Sequence, residues 1–343
     1  MVRGAWYAVL QSDELRDAPA KVTVHGEDIV LLRCADKIPH AFSANCPHRG
    51  CDLSRGTVKN NELICPFHGW HFNAAGSCTH IPANRSEKPI SRSARLSVYP
   101  ACERSGLVWV FTRPEAANPI APELELFPEL QLSGWRRVLF QARWEADFCR
   151  VAESVLDVSH LPFVHPDTTG QNIDPVVENL EYSVHPDSIV IHPTPFVPSH
   201  PMEAVPAPPG IGERTEIELK FPNRWIIRTP MGNGDWMCTF LTFSPIRRGA
   251  TQIFGCIMRN FHLDSTFLDE FHLEHTHYIM NQDKEIIECL RPVEAPPLCR
   301  EAHVPSDAPA IRYRSMLFHA ARDDGIPTAS APQGQGGNET LCQ

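Results

Sequence analysis

Two short stretches near the start of the chain hold four residues able to grip metal: Cys46-Pro47-His48-Arg49-Gly50 and Cys65-Pro66-Phe67-His68-Gly69-Trp70, with sixteen residues between His48 and Cys65. Each offers one thiolate and one imidazole. A tetrahedral zinc site takes the same four ligands, but zinc fingers usually pair Cys with Cys and His with His. Alternating Cys and His on two proline-tipped loops suits a [2Fe–2S] cluster in which one iron takes two Cys and the other two His. A second set lies in Asp157-Val158-Ser159-His160-Leu161-Pro162-Phe163-Val164-His165. Residues 146–161 are expected to be helical, so Asp157 and His160, three apart, share a face. Pro162 is expected to end that helix and let His165 fold back towards His160. Two imidazoles plus a distant carboxylate form the facial triad of non-haem Fe(II) oxygenases, which leaves positions open for O2.

Both sets need a scaffold. Residues 21–111 are expected to form short strands broken by turns at His25-Gly26-Glu27, Asn60-Asn61, Asn73–Gly76 and Ser105-Gly106, with Leu107–Phe111 an almost continuous apolar strand. This half is predicted to be a small all-β unit. Pro114–Pro128, rich in Pro and Ala, is expected to link it to the second half of the chain. Further strands are predicted at Ser188–Ile191, Thr215–Phe221, Trp225–Thr229 and Met237–Phe243. Pro193–Gly210, with seven prolines, is expected to be a loop and a possible lid. Phe267, Leu268, Phe271, Tyr278, Ile279, Ile286 and Ile287 fall near helical spacing and predict a long helix over 264–290. Ser306 or Asp307 is expected to cap a last helix running to Arg322. Residues 325–343 are polar and Gly-rich and are expected to be disordered.

Composition narrows the function. Lys+Arg 31 against Asp+Glu 41 gives a net charge of −10, which disfavours a nucleic-acid partner. Neither a spanning apolar run nor a signal-peptide pattern is evident, so the expectation is a cytoplasmic protein without a membrane partner. Twelve cysteines without a secretion signal are read as thiols or metal ligands before disulfides. No dinucleotide fingerprint or phosphate-binding Gly loop is present. His272, His275 and His277 miss the zinc-protease spacings and are read as polar helix positions.

The first constellation resembles the Rieske proteins. The respiratory members carry two extra cysteines that form a disulfide. Here Cys51 occupies one such position but Phe67 the other, and Trp70 and Phe72 stand where those members carry hydroxyls that raise the potential. Fewer hydrogen bonds to sulfur imply a lower reduction potential, as in clusters that feed an oxygen-activating iron. With the second constellation, the chain resembles the oxygenase component of the Rieske non-haem iron oxygenases, from Ala5-Trp6-Tyr7 to the helix near Arg322. The similarity is to the single-chain type: vanillate and dicamba O-demethylases, toluenesulfonate methyl-monooxygenase, methylxanthine N-demethylases and saxitoxin-pathway hydroxylases. Ser159–Pro166, His303–Asp307 and Tyr313-Arg314 are similar to the last of these, and Ser159–Pro166 also to the N-demethylases.

The resemblance implies an α+β fold: an all-β Rieske domain over 1–115, then a helix-grip-like catalytic domain over 116–324 with an antiparallel sheet and a long iron-ligating helix, and a tail over 325–343. It implies Cys46, His48, Cys65 and His68 as cluster ligands, His160 and His165 as iron ligands, and Asp157 as the inter-subunit electron-transfer bridge. The third iron ligand belongs to an acidic pattern that reads here Gln282-Asp283-Lys284-Glu285-Ile286-Ile287-Glu288. Asp283 is the choice. Glu285 and Glu288 are rivals, with Asp264, Asp269, Glu270 and Glu274 earlier on the helix. Gln282 departs from the usual acid, and Ser154 from the usual Asn. The implied enzyme is a monooxygenase that hydroxylates, or O- or N-demethylates, a small cyclic organic substrate. It would use O2 and electrons relayed from NAD(P)H by a separate flavin/iron–sulfur reductase or ferredoxin, as a homotrimer. A bare Rieske electron carrier and a zinc-binding structural protein are the competing readings; the carrier leaves the second constellation unexplained.

Overall fold

Three dipeptides that punctuate residues 21–111 are tight hairpin turns. His25-Gly26, Asn60-Asn61 and Ser105-Gly106 all have positive φ at both positions (54° and 77°, 53° and 63°, 52° and 78°). That is the type I′ requirement, which matches the right-handed twist of the flanking strands. The computed structural model describes residues 2–323 except 86–87, 115–120, 172, 178–179 and 193–213. The expected lid at 193–210, the middle of the expected linker and the expected tail at 325–343 lie outside the described residues.

By its internal contacts the chain divides into two units, one of Arg3–Glu125 with Ser244–Arg247 and the other of the remainder. The first contains β1 (Trp6–Gln11), β2 (Ala20–Val24), β3 (Glu27–Arg33), β4 (Pro39–Ser43), β5 (Thr57–Lys59), β6 (Glu62–Ile64), β7 (His71–Phe72), β8 (Cys78–His80), β9 (Val98–Tyr99), β10 (Ala101–Arg104) and β11 (Leu107–Phe111). They form three sheets, ordered β1-β11-β10, β2-β3-β4-β9 and β5-β6-β7-β8. β11 is buried at every position, which accounts for its unbroken apolar run. Val30, Leu32, Phe42, Leu53, Leu63, Phe72 and Leu96 make one core, and Cys46 and Cys65 are part of it.

The second unit is built on a seven-stranded antiparallel sheet. Its elements are β12 (Arg136–Trp144), α1 (Phe148–Ser154), α2 (Leu161–Val164), β13 (Glu181–Val184), β14 (Ser188–His192), β15 (Glu216–Lys220), β16 (Arg224–Gly232), β17 (Asp235–Arg247), β18 (Ala250–Arg259), α3 (Thr266–Ile287) and α4 (Ala308–Asp323). The sheet order is β12-β18-β17-β16-β15-β14-β13. β14 and β15 alternate buried and half-buried residues, the period of a strand with one covered face. α3 starts where the Ser265 side chain accepts from the Leu268 N–H. Tyr313 anchors α4 to the sheet: it is fully buried against Trp225 and donates to the Pro222 carbonyl at 2.8 Å.

Two sequence expectations need correction. Residues 146–161 are not one helix: α1 ends at Ser154 and a non-helical segment carries Asp157. Pro162 does not end a helix but sits in the first turn of α2, where its missing N–H costs nothing. The apolar spacing on α3 does mark a helix, but not its buried face. Phe267, Phe271, Tyr278 and Ile286 are exposed, and Met280 is the buried residue of α3.

Candidate metal centres

The two Cys/His loops of the first unit have the same backbone frame. The Cys46 N–H donates to the Cys51 carbonyl at 2.9 Å, and the Gly50 N–H to the Cys46 carbonyl at 2.8 Å. In the second loop Cys65 N–H reaches the Trp70 carbonyl at 2.9 Å, and Gly69 N–H the Cys65 carbonyl at 3.0 Å. Each loop turns through a glycine at φ 68° or 67°, a conformation that penalises any side chain. The two loops thus present their ligands alike. Cys46 and Cys65 are each 2% exposed, whereas His48 and His68 are exposed at the loop tips. The imidazole rings meet edge to face with centroids 4.4 Å apart. Trp70 stacks on His48 and Phe67 lies against His68. Burial, with Cys65 alongside, pushes the Cys46 thiol up to about 12. Two buried sulfurs on one side and two solvent-facing imidazoles on the other fit the donor chemistry of a cluster with one Cys-ligated and one His-ligated iron.

In the second unit His160, His165 and Asp283 converge, with ligand atoms all within 4.8 Å of one another. Asp283 Oδ1 lies 3.0 Å from His165 Nε2 and 3.5 Å from His160 Nε2. His160 stands just before α2 and His165 just after it. The loop behind them is closed by Gly170, whose N–H donates to the His165 carbonyl at 2.9 Å. A Cβ at Gly170 would lie 1.9 Å from the Leu161 carbonyl oxygen, so this return of the chain requires glycine. Two imidazole nitrogens and one carboxylate oxygen are the donor set that suits Fe(II).

Each imidazole is held from behind. His165 Nδ1 is 2.9 Å from Gln282 Oε1, and Gln282 Nε2 donates to Asp167 at 3.1 Å. Tyr278 donates to the other Asp167 oxygen at 2.6 Å. Burial pushes the His165 imidazole down, but Asp283 and Gln282 hold it above its ordinary range. Asp157 Oδ2 is 3.6 Å from His160 Nδ1. An Asx turn fixes that carboxylate, with Ser159 donating to Oδ1 from its N–H at 2.8 Å and from its hydroxyl. Burial would raise the Asp157 carboxyl; His160 and Ser159 hold it below the usual range instead.

The rivals to Asp283 are placed elsewhere. Glu288 accepts from the Glu145 N–H at 2.8 Å, Glu285 is exposed, and Asp269 pairs with Arg136 and Arg259. His272, His275 and His277 form no metal-binding group among the described residues. Ser154 donates to the Val151 carbonyl at 2.9 Å and lines the cavity beside His160. That cavity is ≈ 500 Å³, within the range of small-molecule sites. Sequence reasoning missed Asp167 and Tyr278. The available signal was Tyr278 four residues before Gln282, on the same helix face as the position next to Asp283.

Comparison with known proteins bears on both units. Residues 5–100 match the Rieske [2Fe-2S] domain, and residues 144–323 match the vanillate O-demethylase oxygenase C-terminal domain. Methylxanthine N1-demethylase NdmA of Pseudomonas putida is 28% identical over 326 residues, 92% of this chain and 88% of that protein. The 3-chlorobenzoate-3,4-dioxygenase oxygenase subunit of Comamonas testosteroni is 32% identical over 169 residues, 48% of this chain and only 38% of that protein. The solved structure of NdmA from Pseudomonas putida CBB5 superposes with a TM-score of 0.79 at 23% identity, covering 94% of this chain and 92% of that one. Dicamba monooxygenase superposes with a TM-score of 0.78 at 20% identity, covering 95% and 99%. At these identities the structural likeness speaks for the fold.

Proposed function

The chain belongs to the vanillate O-demethylase oxygenase family, with a Rieske [2Fe–2S] domain ahead of the family domain, and from that membership we propose that it is the terminal oxygenase of a multicomponent system. It inserts one oxygen atom from O2 into a C–H bond of a small cyclic organic molecule, by hydroxylation or by O- or N-demethylation. The balance is R–CH3 + O2 + 2 electrons + 2 protons giving R–CH2OH and water; on a methoxy or N-methyl group the product then loses formaldehyde. The observation that carries this is the meeting of His160, His165 and Asp283 at an open cavity, in a chain that also carries two matched Cys/His loops.

In this reading Cys46, His48, Cys65 and His68 hold the cluster, and His160, His165 and Asp283 hold Fe(II). When bound, the iron supplies O2 activation and the cluster passes electrons to it one at a time. The protein's own part is to place and protect. Asp283 and the two imidazole Nε2 atoms would hold the metal between them. Gln282 and Asp157 lock the imidazoles from behind. Asp157 would bridge His160 to a cluster-ligating histidine of a neighbouring subunit, and the working unit is taken as a homotrimer. The domains are taken as 1–115 and 116–324, with a tail over 325–343. The partner is a separate flavin/iron–sulfur reductase or ferredoxin drawing on NAD(P)H. A cytoplasmic location is proposed; among the described residues no helix is long and apolar enough to cross a membrane.

Metal analysis and turnover test the reading together. Three irons per chain, a red-brown visible spectrum lost in His68→Ala, and formaldehyde or alcohol formed only when a reductase is added are expected. A colourless zinc protein, two irons per chain, or NADH-driven turnover by the chain alone would refute it.

A further inference from the structure

The two Cys/His loops hold a third thiol that the ligand set leaves unused. Cys51 follows Gly50, and its carbonyl accepts the Cys46 N–H that closes the first loop, at 2.9 Å. That bond fixes the Cys51 backbone against the loop. The side chain is half-buried and packs on the core that contains Cys46 and Cys65. Its thiol stands within hydrogen-bonding reach of the Cys65 sulfur. The rival acceptor, the Asp52 carbonyl, is distant at 3.9 Å. Cys51 is a free thiol, and Phe67 stands where the respiratory Rieske proteins carry the cysteine that would form a disulfide with it.

The two sulfurs differ in what they can offer. A cysteine that binds no metal has an ordinary pKa of about 8.5 and keeps its proton at neutral pH. A cysteine that binds iron does so as the thiolate, an acceptor with no proton of its own. With Cys65 in that state the pair can be satisfied in one direction only, the Cys51 S–H donating to the Cys65 sulfur. A hydrogen bond to an ionised acceptor is roughly twice as strong as a neutral one, which compensates for the weakness of S–H as a donor. Hydrogen bonds to the sulfurs are among the factors that set the potential of an iron–sulfur cluster. An added electron makes those sulfurs better acceptors, so a donor stabilises the reduced state more than the oxidised one. Trp70 and Phe72 bring no hydroxyl to this site, and Cys51 supplies a side-chain donor from the other loop.

We propose that Cys51 tunes the cluster: its thiol donates to the Cys65 sulfur and raises the reduction potential, offsetting part of what the missing hydroxyls at positions 70 and 72 take away. The inference rests on the cluster reading of the two loops. It is independent of the triad, the substrate and the assembly.

A dithionite titration of the purified full chain, followed by the visible circular dichroism of the cluster, reads the effect without turnover. Cys51→Ala removes the donor. At a fixed solution potential it is expected to lower the ratio of reduced to oxidised cluster about three- to tenfold, a fall of about 30 to 60 mV for one electron. Cys51→Ser puts a hydroxyl donor in the same place and is expected to restore most of that ratio. An alanine variant whose ratio stays within about 1.5-fold of the parent overturns the proposal. So does a serine variant that loses as much as alanine, because a role in packing alone would not distinguish an O–H from a methyl group. Should the alanine chain fail to hold a cluster, the serine variant still decides: a ratio at or above the parent's supports the donor, and a threefold loss denies it. Cluster content is scored separately on the parent. A colourless parent refutes the cluster reading and this inference with it; a red-brown parent whose variants keep its potential refutes this inference alone.

Discussion

Gln282 fixes the tautomer of His165. Asp167 accepts only, so the Gln282 amide nitrogen, 3.1 Å away, must face it. Its Oε1 is thereby turned to His165 Nδ1 at 2.9 Å, and that nitrogen carries the ring proton. The lone pair is left on Nε2, the atom facing Asp283. The amide that departs from the family's acid is therefore the residue this arrangement needs, because a glutamate at 282 would set a second carboxylate against Asp167. Gln282→Leu and Gln282→Glu are expected to weaken metal binding at the triad about 10- to 100-fold, the usual cost of losing a group that orients a ligand. Titration with Fe(II) or Co(II) under anaerobic conditions reads the effect directly. Affinities within twofold of the parent would deny the role. Because Asp283 and Gln282 hold the His165 imidazole above its ordinary range, proton and metal compete for it, and affinity should fall as pH drops from about 8 to 6.

The late helix offers three acids close together, and the structure separates them. Asp283→Ala should lose the mononuclear iron yet keep the visible spectrum of the cluster, since only a carboxylate completes the two-His triad. Glu288→Ala breaks the bond to the Glu145 N–H and should lower stability by about 1 kcal/mol while keeping the iron. Iron per chain, measured on both purified variants, decides. Iron retained in Asp283→Ala and lost in Glu288→Ala would reverse the assignment.

The two matched Cys/His loops were legible because each is local: Cys, turn proline, His and glycine lie within five residues. The triad was legible by residue type, but its local geometry was not. The helix expected over 146–161 fails because Asp157 captures the Ser159 N–H in an Asx turn, a side chain-to-backbone bond that competes with the helix. β12 escaped notice because Arg136, Arg137 and Arg143 interrupt its apolar pattern. β18 escaped because it is buried at nearly every position, so it shows no alternation. The Gln282–Asp167 link spans 115 residues, and from the sequence Gln282 showed only as a mismatch.

A partly buried ion cluster at the start of α3 should contribute to acid stability. Asp269 receives Arg259, which is 1% exposed, at 2.7 Å, and Arg136 at 2.5 Å, joining α3 to β18 and β12. Arg136, together with Arg259, holds the Asp269 carboxyl below its ordinary 3.8 against the opposing effect of burial. A depressed carboxyl contributes stability above its unfolded pKa and loses it as pH falls through the folded one. Asp269→Asn, which strands the Arg259 charge, is expected to cost about 3 kcal/mol near pH 7. The gap between variant and parent should hold down to about pH 5 and shrink below about pH 4. Denaturant melts at pH 7, 5 and 3.5 test this; a gap that widens on acidification would contradict it.

Assembly decides where electrons can travel. The proposed cluster ligands Cys46, His48, Cys65 and His68 belong to one unit, and the proposed iron ligands His160, His165 and Asp283 to the other. If Asp157 carries the electron between neighbouring subunits, the interface is head-to-tail, and such an interface closes into a ring. Two inactive variants test the route. His68→Ala is expected to remove a working cluster and keep the iron, and Asp283→Ala to remove the iron and keep the cluster. Co-expressed mixed rings should regain part of the activity, because an intact cluster in one subunit can feed an intact iron in the next. Transfer confined to a single chain would leave every subunit lacking one centre and the mixture dead. Mass spectrometry of the intact assembly must first show three copies and both variants in one ring. A dead mixture of confirmed mixed rings would remove both the inter-subunit route and the bridging role of Asp157. Adding Asp157→Asn to the His68→Ala chain alone then gives the finer reading. Activity in the mixed ring should fall again while iron content stays unchanged, since the subunit that keeps its iron would have lost its bridge.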